Sequence, residues 1–167
     1  MWAQTYGKGL ANVFLSTTTN TLDGKGRVSV PANFRARING ESVVVWPSFE
    51  GDYLEGATLA YMERLLTSLD DLDFYDEARE ALNQAIFAAS RELAFDSGGR
   101  VKLPADLIEH AQLSDKAAFV GLGRTFQIWD PDAHAAHMRR ARETAREHRH
   151  KLASPRSLAP PRPKPQS

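Results

Sequence analysis

An internal repeat constrains this chain more than any other feature of its sequence. The stretch LDGKGRVSVPANF at Leu22–Phe34 recurs as FDSGGRVKLPADL at Phe95–Leu107, 73 residues further along the chain, and six of the thirteen positions are identical. A solenoid needs at least about three such units to bury a continuous core. Two copies therefore predict a pair of halves that are related by pseudo-twofold symmetry.

Each copy predicts the same series of short elements. A Thr-rich run at Leu15–Leu22 leads into the first copy, and threonine favours a half-buried strand. A short extended run at Leu93–Phe95 leads into the second copy. Asp and Gly then supply a tight turn, and the Pro after the next strand suits the first position of a helix. Strand-forming runs after the two helices predict hairpins at Ser42–Trp46 with Asp52–Leu54, and at Ala117–Leu122 with Thr125–Trp129.

Alternation within the strand after each turn separates a core face from an outer face, because successive residues of a strand point to opposite sides. The residues expected in the core are Val28, Val30, Val101 and Leu103. The residues expected on the outer face are Arg27, Ser29, Arg100 and Lys102. Halves of this size are weak alone, so the two copies are predicted to complete one β-barrel together.

The segment between the repeats is helical and acidic. Apolar residues at helical spacing, from Leu59 to Leu69 and from Phe74 to Leu93, predict a helical insert at 59–92. Residues 41–96 contain thirteen acidic residues against three Arg. This insert is therefore expected to face away from any nucleic acid. The alternative is an interaction scaffold whose acidic helical insert recruits a basic protein.

The C-terminal region is basic. Asp130 followed by Pro131 predicts the cap and the start of a helix at 131–150, and the Pro-rich residues 151–167 are typical of a disordered tail. Residues 134–167 contain nine Lys and Arg against two Glu, which favours an anionic partner. With an N-terminal extension at 1–12 and repeat halves at 13–58 and 93–130, the whole chain is predicted to be α+β.

The sequence lacks the patterns that most enzyme and membrane classes need. It has no Cys, and its longest apolar runs are far shorter than the roughly 20 residues of a membrane span. Without a signal peptide, phosphate loop, dinucleotide fingerprint or nucleophile–base pair, we expect a cytoplasmic protein that is not an enzyme, with no cofactor or small-molecule substrate. His134 and His137 lack a third ligand at suitable spacing, so no metal site is predicted.

The two Asp-x-x-x-Arg turns are the candidate functional site. Arg27 and Arg100 leave these glycine-containing turns, and a guanidinium pairs in a bidentate manner with guanine or phosphate. Lys25, at the tip of the first turn, is a candidate phosphate contact, and Lys102 shares the outer face. The residues expected to hold the turns and orient the arginines are Asp23, Gly26, Asp96 and Gly99.

The alternative for each turn is that Asp and Arg only close it. Such a surface ion pair contributes about 0–1 kcal/mol to stability. The repetition favours a functional interpretation, because two identical basic turns in symmetric halves suit a repetitive ligand.

These motifs, together with AAFVGLGRTFQIWDPDAH at 117–134, resemble the MraZ family of bacterial transcriptional regulators. The resemblance extends from about Val13 to Arg146. It implies that two AbrB-like (SpoVT-type) halves form one pseudo-symmetric β-barrel of double-psi or swapped-hairpin type, with helices around it.

The same resemblance implies a way of acting. It predicts a nucleoid-associated repressor that forms a ring homo-oligomer and binds double-stranded DNA at repeated guanine-rich boxes, upstream of the division and cell-wall gene cluster that includes its own gene. It assigns DNA binding to the turn residues Asp23, Lys25, Arg27, Asp96 and Arg100. Gly98 stands where the first copy has Lys25, so the second turn is expected to be less basic.

Overall fold

The computed structural model describes residues 13–38 and 42–152, so the predicted extension at 1–12 and nearly all of the predicted tail lie outside the described residues. Strands β1–β4 span Thr17–Thr21, Arg27–Ser29, Ser42–Pro47 and Leu54–Ala57, and β5–β8 span Arg91–Ala94, Arg100–Lys102, Lys116–Gly121 and Phe126–Trp129. Helices α1–α5 span Ala32–Arg35, Leu59–Asp70, Glu77–Leu82, Ala105–His110 and Pro131–His148. A π-helical turn, Asn83–Ala88, continues α3, and a 3₁₀ turn, Arg149–Lys151, follows α5.

The two repeats exchange their first strands. The main sheet has the order β1-β7-β8-β4-β3-β5, and its neighbouring strands are antiparallel. Strand β1 precedes the first turn yet pairs with β7 of the second repeat, and β5 pairs with β3 of the first. Strands β2 and β6 pair with each other in a separate two-stranded ribbon. Every pairing has a counterpart in the other repeat, which agrees with the predicted pseudo-twofold symmetry.

The pairing registers locate the pseudo-twofold axis. In the ribbon it passes between Val28 and Val101, which lie opposite each other. At the centre of the main sheet it passes between Glu55 and Gln127, where the Gln127 amide donates a hydrogen bond of 3.1 Å to the Glu55 carboxylate. The two turns that precede β2 and β6 are therefore placed symmetrically about the middle of the ribbon.

The main core lies between the ribbon and the main sheet. The four residues that alternation assigned to the core are at most 2% exposed, which confirms that prediction. Helices α1 and α4 add Phe34 and Leu107, which are also buried. Ring centroids 5.0–6.2 Å apart join Phe14, Phe34, Phe119 and Phe126 at its centre. This core supports the ribbon from beneath and leaves its outward-facing side chains at the surface.

The helical segment covers part of the opposite face of the main sheet, at β3 and β4. Val44 and Trp46 of β3 pack there with Met62 of α2 and Ile86 of the π-helical turn. Strand β3 is thus buried on both faces, which explains its uninterrupted apolar run. Val44 and Trp46 alternate along β3 with Val43 and Val45, which belong to the main core. Helix α2 and the π-helical turn therefore lie on the face of the sheet that is turned away from the ribbon.

Two expectations differ from the structure. Strands β1 and β5 end the main sheet and do not pair with each other in the described residues, so the sheet is open and the predicted barrel is not confirmed. The second apolar stripe predicted helix from Phe74 to Leu93, but Asp76 caps α3 by accepting a 2.8 Å hydrogen bond from the Ala78 N–H. Leu93 lies in β5, which agrees with the extended run expected at Leu93–Phe95, because pairing with β3 overrides its helical spacing.

The C-terminal helix begins as predicted. The Asp130 carboxylate accepts hydrogen bonds of 3.0 Å from the N–H groups of Asp132 and Ala133, and Pro131 is the first helical residue. The chain divides into two units, Met1–Ala133 and His134–Ser167. In the described part of the second unit the arginines are exposed. None of the described helices is apolar over a length that would cross a bilayer.

Candidate nucleic-acid interface

The first turn (Asp23–Arg27) and the second turn (Asp96–Arg100) have the same backbone hydrogen bonds. In the first, the Asp23 N–H donates to the Arg27 carbonyl and the Gly26 N–H donates to the Asp23 carbonyl, each at 3.0 Å. The equivalent bonds of the second turn are 2.9 and 3.0 Å long. Gly26 and Gly99 have φ angles of +80° and +72°, which L-residues adopt only with strain. The position that Gly26 and Gly99 share in the repeat is therefore a glycine for conformational reasons.

Each turn is closed by its aspartate. One carboxylate oxygen of Asp23 accepts from the N–H groups of Lys25 and Arg27 at 2.9 Å, and the other accepts from Arg27 Nε at 2.8 Å. Asp96 makes the same three bonds, to the N–H groups of Gly98 and Arg100 and to Arg100 Nε. The aspartates thus hold both the backbone of the turn and one edge of each guanidinium.

These hydrogen bonds keep the aspartates ionised. The bond from the Arg27 backbone N–H, followed by the bond from its side chain, lowers the pKa of Asp23 from 3.8 to about 2. The backbone N–H of Arg100 is the largest cause of the lowered pKa of Asp96. Both carboxylates are therefore charged at neutral pH, and each stays paired with its arginine.

The ribbon brings the two arginines onto one surface. Arg27 lies opposite Lys102, and Arg100 lies opposite Ser29. Because the intervening Val28 and Val101 point into the core, all four flanking residues share the outer face. The two turns are also bonded to the opposite strand, since the Leu103 N–H donates to Gly26 and the Val30 N–H donates to Gly99. The predicted outer face is confirmed, and it carries three cations within two three-residue strands.

The arginines keep part of their hydrogen-bonding capacity for a ligand. Among the described residues, Arg27 and Arg100 are bonded through Nε, and neither uses an Nη atom. Their side chains are 39% and 41% exposed. A guanidinium that is held by its Nε edge still offers paired N–H donors, which match guanine or phosphate acceptors. The arrangement is thus suited to bind an anionic or guanine-rich surface.

The sequence did not reveal the residue that packs against each turn. Arg35 of α1 lies against the second turn, where its Nη1 donates to the carbonyls of Gly98 and Gly99 at 3.4 and 3.3 Å. Ile108 of α4 occupies the equivalent place at the first turn, beside Gly26. Each residue comes from the other repeat. In the alignment of the two repeats, Arg35 and Ile108 occupy equivalent positions. That difference is the signal in the sequence that could have indicated different packing at the two turns.

Other chemistry is sparse in the part of the chain that the structure describes. No group of three His, Asp or Glu side chains there is placed to hold a metal ion. Burial lowers the pKa of His134 in α5, and burial raises the pKa of Glu55 at the centre of the main sheet. Neither group lies on the ribbon, so the two turns remain the best-developed site.

Comparison with known proteins agrees with the repeat. A family model described as "MraZ protein, putative antitoxin-like" matches residues 13–83 and 86–154, so that each matched segment contains one turn. A protein of Rickettsia akari (strain Hartford) named Transcriptional regulator MraZ is 40% identical over 144 residues, covering 84% of this chain and 97% of that protein. Proteins of the same name from Rickettsia canadensis (strain McKiel) and Rickettsia bellii (strain OSU 85-389) are 40% and 39% identical over 141 and 142 residues, each covering 83% of this chain and 95% of the relative.

Proposed function

The chain belongs to the MraZ family, and on that basis we propose that it is a DNA-binding transcriptional regulator, not an enzyme, whose two turns contact the duplex. The observation that carries this proposal is the placement of Arg27 and Arg100 on one face of the ribbon, each held by its own aspartate. The relatives compared above carry the name of transcriptional regulators, which supports the same function.

A two-stranded form of the kind that β2 and β6 make suits a DNA groove. A two-stranded β-ribbon fits the major groove, which is about 12 Å wide. In our proposal, the paired N–H groups of the arginines contact guanine O6 and N7, while Lys25 and Lys102 contact phosphates. Lys102 lies opposite Arg27 with no acidic partner among the described residues, although like charges directly opposite each other disfavour strand pairing. A polyanionic ligand would offset that repulsion.

Selection of a promoter requires more than one protomer in this proposal. A good bidentate contact contributes roughly 1–3 kcal/mol of discrimination between bases. We propose that a ring-shaped homo-oligomer presents many copies of the ribbon to repeated guanine-rich boxes, so that effective concentration multiplies these small contributions. The proposed targets lie upstream of the division and cell-wall gene cluster, including the protein's own gene. Repression would follow when the bound ring occludes RNA polymerase on the nucleoid, in the cytoplasm.

The fold assignment within this proposal is the AbrB-like (SpoVT-type) class. The halves at 13–58 and 93–130, separated by the insert at 59–92, would be two copies of one ancestral unit. The exchange of β1 and β5 between the repeats supports the swapped-hairpin variant of that class over the double-psi variant.

The proposal is tested by binding to the DNA immediately upstream of the protein's own coding region. Footprinting with the purified protein should reveal evenly spaced protected boxes. Arg27→Ala and Arg100→Ala should each lower the preference for this DNA over a scrambled duplex by about tenfold or more, since each removes a bidentate contact. Arg64→Ala, on α2, is the matched control for loss of one positive charge. An unchanged preference in both turn variants, with the oligomer intact, would refute the assignment.

A second candidate, the interaction scaffold, is favoured by one observation in the helical segment. Phe74 and Tyr75, between α2 and α3, are 76% and 91% exposed and are flanked by Asp73 and Asp76. A double variant, Phe74→Ser with Tyr75→Ser, should retain both fold and DNA binding. If this variant bound DNA normally yet no longer regulated a reporter gene in cells, the scaffold would be the better description.

A further inference from the structure

Arg35 lies near the second turn in the described part of the chain, and the sequence patterns indicated no contact between them. It lies on α1 of the first repeat, but its guanidinium contacts the second turn at Gly98 and Gly99. A β-carbon at Gly99 would overlap this guanidinium, so the side chain lies directly over the turn. Arg35 is half-buried, and no acidic side chain pairs with it among the described residues. Its position is therefore set by carbonyl oxygens and by packing, with its positive charge left uncompensated.

The equivalent position in the other half shows that packing against a turn does not require a charge. Ile108 is the counterpart of Arg35 in the repeat, and its Cδ1 lies 3.3 Å from the place where Gly26 would carry a β-carbon. An aliphatic side chain thus supports the first turn. Arg35 and Arg100 both contact the second turn, Arg35 through the carbonyls of Gly98 and Gly99 and Arg100 through the Asp96 carboxylate. Because Asp96 is already paired with Arg100, a charged residue where an aliphatic one would pack calls for a purpose beyond packing.

The tips of the turns supply that purpose. The first turn carries Lys25 at its tip, and the second carries Gly98 at the same position. The first turn is packed by uncharged Ile108 and the second by charged Arg35. Apart from Lys102 on the ribbon, the described residues thus place one further cation at each turn: Lys25 at the first and Arg35 at the second. The cation that the tip of the second turn lacks is supplied by the other repeat.

We propose that Arg35 is a phosphate-binding residue that completes the second turn, contributed across the pseudo-twofold axis in place of the lysine that the second turn lacks. This inference rests on the proposed DNA-binding function. One Nη of Arg35 is directed to the turn carbonyls, and the remaining N–H groups would donate to a phosphate oxygen. A backbone contact of this kind adds affinity that is independent of sequence and sensitive to salt.

The experiment measures affinity at several salt concentrations for two duplexes, the upstream DNA and a scrambled sequence of equal length. Arg35→Ala should weaken binding to both about tenfold, as loss of one charge-assisted hydrogen bond does, and should reduce the salt slope by about 1. Lys25→Ala should have an effect of similar size. Arg35→Lys should restore most of the affinity, because lysine also binds phosphate as a point charge.

A second variant separates charge from packing. Gly98 has a conventional φ angle and ordinary contact distances at its β-carbon position, so it accepts a side chain. Gly98→Lys in the Arg35→Ala background should therefore restore affinity and salt slope by returning a cation to the tip, as in the first turn. Arg64→Ala again controls for net charge, and urea unfolding of each variant shows that it is folded.

The outcomes are distinguishable from those of the proposed function. If Arg27→Ala weakens binding but Arg35→Ala does not, the inference about Arg35 is wrong and the DNA-binding function stands. If Arg35→Ala weakens binding and neither lysine variant restores it, Arg35 acts by shaping the turn and the phosphate role is wrong. If the unmodified protein does not bind either duplex, both proposals fail.

Discussion

The first and second turns have the same hydrogen-bonded frame and different surroundings. Each has its aspartate bonded to two backbone N–H groups and to its arginine, and each has a glycine with positive φ. The first has Lys25 at the tip and Ile108 against it, whereas the second has Gly98 at the tip and Arg35 against it. The hydrogen bonds and the positive-φ glycine are thus repeated because the backbone of the turn needs them. The additional cation comes from the tip of the turn in the first repeat and from α1 in the second.

The difference shows that two aligned turns should be compared by the charges that lie near them in space as well as by their own residues. Aligned position by position, the second turn lacks a cation. In three dimensions, α1 of the first repeat replaces it, because the pairing of β2 with β6 places the residues that follow β2 next to the second turn. Substitutions at three kinds of position can break or sharpen this comparison: the positive-φ glycines, the residues that pack against the turns, and the aspartates.

The largest expected effect is on stability, at the positive-φ glycines. A β-carbon at Gly26 would lie 2.7 Å from the Leu103 carbonyl oxygen, which belongs to the backbone and cannot move without disturbing the ribbon. At Gly99 the overlapping atoms belong to the flexible end of Arg35. We therefore expect Gly26→Ala to cost about 2–4 kcal/mol and Gly99→Ala about 1–2 kcal/mol, the strain of a left-handed alanine.

Urea unfolding of the two glycine variants measures this difference. Gly24→Ala is the control, because Gly24 has a conventional φ angle and no atom within 4 Å of its β-carbon position. It should be neutral or slightly stabilising. Equal losses at Gly26 and Gly99 would mean that the two turns are supported alike, contrary to the contacts described above.

The next effect concerns the residues that pack against the turns. Ile108 is partly buried against the main core, so Ile108→Ala should lower the free energy of unfolding by about 2 kcal/mol. Arg35 makes only long hydrogen bonds of 3.3 and 3.4 Å to the second turn, so Arg35→Ala should cost less than about 1 kcal/mol. Chemical unfolding compares the free energies of unfolding of the Ile108→Ala and Arg35→Ala variants. Ile108→Val should give a smaller loss at the first turn. A larger loss for Arg35→Ala would show that it is chiefly structural.

What the sequence predicted correctly depends on short-range patterns. The turns, the alternation that buries Val28 and Val101, and the Asp130 cap each follow from a few adjacent residues, and the structure confirms them. The repeat added the pseudo-twofold relation, because two copies of one unit are expected to pack alike. Local chemistry and self-comparison together were sufficient to place the arginines of both turns on a common outer face.

What the sequence did not predict depends on long-range partners. The exchange of β1 and β5 between repeats is a choice among strand pairings that have similar local signals. The open edges of the main sheet also depend on which strands meet over a long range of sequence. Arg35 meets the second turn across more than 60 residues of chain, so neither periodicity nor spacing indicates the contact. The helix expected to extend to Leu93 ends earlier for a similar reason, because Leu93 pairs with a residue of β3 that is distant in sequence.

The smallest expected effect is the pH dependence that the aspartates confer. In the folded protein the pKa of Asp23 is about 2, below its ordinary value of 3.8. Its contribution to stability is therefore present above about pH 4 and is lost as the pH falls through about 2. Asp23→Asn removes this contribution, so the unfolding midpoints of the variant and the unmodified protein should differ at pH 7 and converge towards pH 2. Asp96→Asn should show a change of the same sign, because hydrogen bonds from the backbone N–H groups of Arg100 and Gly98 lower the pKa of Asp96 as well.

The same pair of variants tests whether an aspartate orients its arginine. Removing a negative charge beside DNA should by itself strengthen binding to every sequence. If the Asp23 carboxylate holds Arg27 in place for guanine, Asp23→Asn should instead lower the preference for the upstream DNA over a scrambled duplex, even while scrambled DNA binds more tightly. Glu143→Gln on α5 removes an equal charge far along the chain from either turn and controls for net charge. If the preference for the upstream DNA stays unchanged in both aspartate variants, the aspartates only close the turns and do not orient the arginines.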